Sequence, residues 1–176
     1  MDWRPRPGEV KTLTVTNCDD DSQLEAIATT GTDVVVYDLM THTIQWQFSA
    51  VVSALDVANH RLYVGTNTTV QVYDTRTQTQ VATYTLGGAA DALFIASTAS
   101  HTLLFAVRTD GVLEGFDTAT GQRRFSKATE RLGFAQGAST VASAPSADGV
   151  SVWAASAFGV HRADFSVQDT FADGFE

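Results

Sequence analysis

Three observations predict an all-β fold, a β-propeller or partial propeller of about four blades, each of four antiparallel strands. One hairpin pattern recurs about every 40 residues. Two further short apolar runs precede each hairpin. No long Leu/Glu/Lys-rich stretch with a 3.6-residue period occurs, so helix should be scarce.

The clearest hairpin is Thr32 to Phe48, TDVVVYDLMTHTIQWQF. Val34, Val35, Val36 and Tyr37 are β-branched or aromatic and too few for a helix. Asp38 opens a turn, because its carboxylate can accept a backbone N–H two residues on. Ile44, Trp46 and Phe48 then alternate with Thr43, Gln45 and Gln47, the period of a half-exposed strand. The turn returns as Asp74-x-x-Thr77 and Asp117-x-x-Thr120, and in weaker form at Asp164, where Val167 stands for Thr. Upstream of each hairpin lie paired runs: TLTVT and LEAIAT, ALDVA and RLYVG, ALFIA and TLLFAV, VASA and SVWAA. The predicted units are 10–50, 51–87, 88–129 and 130–168, after a leader at 1–9 and before a tail at 169–176. Tight turns with positive φ are expected at Gly31, Asn67-Thr68, Asp110-Gly111 and Phe158-Gly159. A β-sandwich is the competing fold, but it does not require the same hairpin at each period. Four units are the lower limit of a closed ring. The expectation is therefore an N-terminally truncated chain, or an open arc of blades.

The 176 residues suffice for one domain with a core. At 44% hydrophobic and 18% charged, the chain falls outside the disordered class. A net charge of −9 opposes nucleic acid and anionic membrane and favours a cationic partner or a divalent ion. Arg123, Arg124, Lys127 and Arg131 form a local basic cluster, either a patch or a solvated outer strand. The single cysteine, Cys18, excludes an internal disulfide. No run reaches the roughly 18 apolar residues of a membrane span, and MDWRPRPGEV carries no apolar signal segment.

Gly111, Asp117, Thr120, Gly121 and Phe125 in GVLEGFDTATGQRRFS resemble the repeat of quinoprotein-like (PQQ-type) propellers. In the first unit Asp38, Thr41 and Trp46 match, with His42 in the glycine place. In the second, Gln78 stands for the glycine and Ala82 for the aromatic. The resemblance implies the propeller fold. A quinone cofactor is not expected, since the vicinal cysteines that usually accompany it are missing.

Asn17-Cys18-Asp19-Asp20-Asp21-Ser22-Gln23-Leu24-Glu25 resembles the calcium loop of integrin-α-type (FG-GAP or VCBS) repeats, D-x-D-x-D-G-x-x-D/E. The resemblance implies side-chain ligands from Asn17, Asp19, Asp21 and Glu25, and the backbone carbonyl of Gln23. Ca²⁺ takes six to eight hard oxygens at about 2.3–2.6 Å, which acidic and amide residues at alternate places in a tight loop can supply. Asn17 replaces an Asp, which removes a charge and should weaken binding, and Ser22 replaces the Gly of the sharp turn, so the loop must pass that bend another way. A solvated acidic hairpin turn is the alternative. Cys18 is expected to be a packed small residue.

The tail DTFADGFE resembles a short terminus of bacterial secreted proteins, which implies export. His42, His60 and His101 fall in turns, and His60 and His101 in equivalent ones. They are expected to be polar turn residues rather than metal ligands. No nucleophile, zinc or nucleotide fingerprint is present. The sequence thus predicts a non-catalytic binding or structural module with a calcium-stabilised loop, part of a larger secreted bacterial protein. Its partner would be a protein or glycan, with no nucleic acid and no membrane insertion. The alternatives are a fragment of a secreted propeller enzyme with its active site near the central channel, and a chain that does not fold alone.

Overall fold

The computed structural model describes residues 10–97, 102–128, 141–146, 149–156 and 159–166, and among them there are strands and turns but no helix. Sheet 1 runs β1 (Thr12–Thr16), β2 (Glu25–Thr29), β3 (Asp33–Asp38) and β4 (Thr43–Ser49). Sheet 2 runs β5 (Ala54–Ala58), β6 (Arg61–Gly65), β7 (Thr69–Asp74) and β8 (Thr79–Thr85). Sheet 3 runs β9 (Ala90–Ser97), β10 (Thr102–Arg108), β11 (Val112–Asp117) and β12 (Arg123–Ala128). Sheet 4 has three described strands, β13 (Val141–Ser146), β14 (Gly149–Ser156) and β15 (Gly159–Ser166). Each is an antiparallel meander in chain order, and no strand is shared between sheets. First strands of successive sheets lie together, β1 by β5, β5 by β9 and β9 by β13. Among the described residues, β13 and β1 do not meet in this way.

In an antiparallel pair, residues directly opposite one another share a face. The register therefore assigns every side chain to one side. On sheet 1, Ile27 and Val36 share a face with Trp46, and Val34 shares it with Phe48. These five pack against Leu55, Val57, Leu62, Val64 and Tyr73 of sheet 2. The ring of Tyr73 lies 4.5 Å from Phe48 and 5.6 Å from Trp46, the latter edge-on. The opposite face of sheet 2 sets Tyr63, Val70, Val72 and Tyr84 against Leu93, Leu104, Ala106 and Phe116 of sheet 3. The far side of sheet 3 is a third apolar layer, in which Phe94 and Phe105 stack at 4.7 Å. Each side chain so buried contributes about 1.5–3 kcal/mol. The seam between sheets 2 and 3 also holds a carboxylate. Asp56 accepts the N–H of Ile95 at 2.8 Å and that of Val57. Burial raises its pKa, against the lowering effect of those two N–H groups.

The link from β8 to β9 passes through Gly87 and Gly88. The Gly87 N–H donates to Glu114 Oε2 at 3.1 Å, and Glu114 is fully buried. Arg123 holds the other oxygen at 3.1 Å, with Arg108 at 3.5 Å. A Cβ on Gly87 would land on the Arg108 guanidinium.

The Asp-x-x-Thr turn is one structure repeated three times. Asp38 Oδ1 accepts the N–H of Met40 at 2.7 Å and of Thr41 at 2.8 Å. Asp74 does the same for Arg76 and Thr77, and Asp117 for Ala119 and Thr120. The residue after Thr is left-handed each time: His42 at φ 59°, Gln78 at 57°, Gly121 at 73°. Positive φ was expected instead at the opposite turns. There only Gly111 shows it among the described turn residues, while Gly31, Asn67 and Thr68 do not. The other left-handed pair, Asn59-His60, closes β5 onto β6 as a two-residue hairpin loop.

A register shift falls two residues before the turn aspartate in each of these three sheets, at Val36/Tyr37, Val72/Tyr73 and Gly115/Phe116. It leaves Gln45, Val81 and Arg124 as the extra residue opposite. The simple alternation expected of β4 is broken there: Trp46 and Phe48 face sheet 2, while Ile44 pairs with Tyr37 on the other side. Arg123 and Arg124 of the basic cluster are engaged by Glu114 and Asp117. The Lys127 side chain, Arg131, His101, the 130–140 stretch of the fourth unit and the 169–176 tail lie outside the described residues. Asp164 sits inside β15 opposite Ser151, which donates to it at 2.5 Å, rather than at a strand end.

Two outcomes are expected. Left-handed backbone costs a non-glycine residue roughly 1–2 kcal/mol, of which the freer unfolded chain of a glycine returns about 0.4–1 kcal/mol. Gln78→Gly should therefore stabilise the fold by about 0.5–1 kcal/mol in urea unfolding, and Gly121→Ala should destabilise it. The Thr77 N–H and the Arg61 guanidinium hold the Asp74 carboxyl down at about 2, against 3.8 for the free group. A lowered folded-state pKa stabilises above the unfolded value and is lost as pH falls through the folded one. Stability should drop between pH 4 and 2, and the drop should be shallower in Asp74→Asn.

Candidate metal centre

The loop between β1 and β2 folds around its own backbone. Asp19 Oδ1 accepts the Asp21 N–H at 2.9 Å, and Asp21 Oδ1 accepts the Gln23 N–H at 2.7 Å. Glu25, the first residue of β2, turns back so that its Oε2 accepts the Cys18 N–H at 2.7 Å. Each carboxylate thus gives one oxygen to a loop N–H, while the second oxygen of Asp19 accepts a long hydrogen bond from Gln45. One ligand oxygen from each of Asp19, Asp21 and Glu25 lies within 4.8 Å of the others. Three negative charges at that spacing repel by about 3 kcal/mol per pair near a surface.

No ion pair among the described residues reaches these three. Asp20 takes the neighbouring basic side chains instead, with Arg76 Nη1 at 3.5 Å and the His60 imidazole Nε2 at 3.8 Å. Glu25 is fully buried, and its Oε1 has no hydrogen-bond partner. The side-chain Oε1 of Gln23 is likewise buried and unpaired. An unsatisfied buried acceptor costs about 1–3 kcal/mol, more when charged, so the unpaired Glu25 oxygen in a cluster of carboxylates marks a place suited to a cation.

Asp19, Asp21 and Glu25 are brought together as the sequence predicts. Asn17 differs from expectation. The Asn17 amide nitrogen, not its oxygen, faces the loop and donates to the Asp21 carbonyl at 2.5 Å. The Gln23 N–H is held by Asp21, and its side-chain oxygen is buried without a hydrogen-bond partner. Gln45 was missed: the shift in β4 turns its amide to Asp19 Oδ2 at 3.4 Å.

The loop also fastens sheet 1 to sheet 2. Cys18 is buried in the seam, where burial and then the nearby Glu25 charge push its thiol up to about 12. It packs as an inert small residue, as expected. Its carbonyl accepts the hydroxyl of buried Thr75 from the turn after β7. Sheet 2 carries Arg61 where sheet 1 carries Glu25. Arg61 pairs with Asp74 across the strands, whereas Glu25 stands opposite Asp38. Where the second sheet balances its turn aspartate with a guanidinium, the first sets two carboxylates side by side.

No family model matches the chain, and no curated protein matches it in sequence. Solved structures match by fold. The computationally designed Ika8 protein is 21% identical with a TM-score of 0.58, covering 86% of this chain and 45% of its own. BBS1N, crystallised with ARL6DN, is 12% identical with a TM-score of 0.65, covering 91% and 56%. Sqt1 of Saccharomyces cerevisiae is 15% identical with a TM-score of 0.63, covering 91% and 46%. The chain therefore spans about half the length of these neighbours.

Thr75→Val removes the hydroxyl that satisfies the Cys18 carbonyl. It should cost about 1–3 kcal/mol of stability and speed hydrogen exchange in the loop ahead of the sheets.

Proposed function

We propose that this chain is an arc of a β-propeller, a non-catalytic module for binding or assembly, whose first inter-strand loop is stiffened by one calcium ion. The observation that carries the ion is the buried, unpaired Oε1 of Glu25 beside Asp19 and Asp21. Asp19, Asp21 and Glu25 supply the hard oxygens, and Asn17 and Gln23 of the same loop are the further candidates. Water completes the six to eight ligands that calcium takes. Magnesium fits less well, since it demands near-octahedral geometry and gives up water reluctantly.

The ion's work in this reading is structural. It neutralises the charge beside the Glu25–Asp38 pair and locks the loop whose Cys18 carbonyl and Asp20 carboxylate hold the next sheet. The turn aspartates are committed to backbone N–H groups, which favours a scaffold over a catalytic rim. The open rim turns remain for a protein or glycan partner. A half-neutralised loop of this kind suits the weak affinity, about 10⁻⁴–10⁻³ M, of extracellular calcium modules, consistent with an exported parent protein.

Thermal unfolding tests this. Calcium at about a hundred times its Kd should add about 2.7 kcal/mol, which raises the Tm of a chain this size by roughly 5–10 °C. Chelator should reverse the rise. Glu25→Gln, which keeps the acceptor for the Cys18 N–H, should abolish most of it, as should Asp19→Ala with Asp21→Ala. An equal rise in wild type and Glu25→Gln would remove the site.

A further inference from the structure

The residue after each turn aspartate uses its backbone in one way and its side chain in three. Leu39, Thr75 and Thr118 donate their N–H groups to the carbonyls of Leu24, His60 and Thr102, at 3.2, 3.1 and 3.0 Å, and so close the rim of their own sheets. The Leu39 side chain is exposed. The Thr118 hydroxyl stays in sheet 3, where it donates to the same Thr102 carbonyl at 2.9 Å. The Thr75 hydroxyl leaves its sheet. It is buried, and it donates to the Cys18 carbonyl in the acidic loop of sheet 1.

That carbonyl belongs to the planar peptide that leads into Asp19. On the other side of the same residue, the Cys18 N–H is held by Glu25 Oε2 at 2.7 Å. One buried loop residue is thus gripped between a carboxylate of the acidic cluster and a hydroxyl of the next sheet. Asp20 adds a looser tie across this seam, to Arg76, next to Thr75, at 3.5 Å, and to the His60 imidazole at 3.8 Å.

We propose that Thr75 is a positioning residue for the cation of this loop, so that ion binding and the docking of sheet 2 on sheet 1 strengthen each other. Thr75 takes this role only if the calcium reading above holds, since it lies outside the ligand set itself. Without its hydroxyl the Cys18–Asp19 peptide is free to turn, and the loop carboxylates must find their spacing at the moment of binding. Such coupling is reciprocal: the factor by which the docked seam tightens the ion is the factor by which the ion tightens the seam. Calcium would then set the stiffness of the first seam, whereas the Asp56 bridge between sheets 2 and 3 needs no ion.

Calcium titration of the full chain, followed through the NMR amide signals of residues 17–25, tests the coupling. Thr75→Val should raise the Kd about fivefold, at the low end of typical couplings. Thr75→Ser, which keeps the hydroxyl, should bind as wild type does. Thr118→Val removes the hydroxyl at the equivalent place in sheet 3 and should leave the Kd unchanged, which separates positioning from a general loss of stability. Should Thr75→Val fail to fold, wild type answers alone: calcium should slow hydrogen exchange at the Thr75, Arg76 and Thr77 amides, all on the far side of the seam. A wild type that binds no calcium overturns the metal site, and the coupling with it. Where wild type does bind, the site stands, and an equal Kd in Thr75→Val overturns the coupling alone. So does a Thr118→Val or a Thr75→Ser as weak as Thr75→Val, or exchange at Thr75 to Thr77 that calcium does not change.

Discussion

Every other feature of this molecule depends on a geometric demand: a four-stranded sheet with apolar side chains on both faces cannot stand in water by itself. Ile27, Val34 and Val36 leave sheet 1 on one side, and Leu62 and Val64 meet them from sheet 2. Val70 and Val72 then leave sheet 2 on its other side to meet Leu104 and Phe116. Each sheet is at once lid and floor. This is why the central strands are apolar on consecutive positions while the outer strands β4 and β8 are largely exposed. The stacking direction is fixed by the same demand, because the two faces of a sheet carry different residues.

The rims obey a different rule. Along the Asp-x-x-Thr edge the backbone is closed by a carboxylate that satisfies two N–H groups, so little side-chain variation is needed to hold the turn. On that same edge the loops between first and second strands are free to differ. The β5–β6 connection is a minimal two-residue turn, while the β1–β2 connection is long enough to gather three carboxylates and reach the neighbouring sheet. Local chemistry is added to a frame that does not require it for its own closure.

Much of the frame was legible in the residues. The turn aspartates and threonines, the paired apolar runs before each hairpin and the absence of helical periodicity marked nearly every described strand to within a few residues. Asp19, Asp21 and Glu25 could be grouped through their resemblance to a known calcium loop, in which alternate places can turn oxygens inward. What could not be seen was whatever depends on one extra residue or one rotation. The register shift in β4 puts Ile44 and Trp46 on opposite faces, although their spacing says they share one. The left-handed backbone was sought at Gly31, Asn67 and Gly111 and found there only at Gly111, while the place after Thr, held by His42 and Gln78, does not advertise it. The Asn17 amide takes an orientation that no pattern of letters encodes.

The joint between the second and third sheets has a mechanical meaning. Gly87 and Gly88 would ordinarily make a swivel, yet here their bare backbone lies beneath the Arg108 guanidinium and is anchored to the buried Glu114 carboxylate. The most pliable residue type has been used to obtain closeness, and closeness has made a weld. Torque applied across the molecule would be passed through this corner instead of being dissipated in it, so the two sheets on either side should turn as one rigid body.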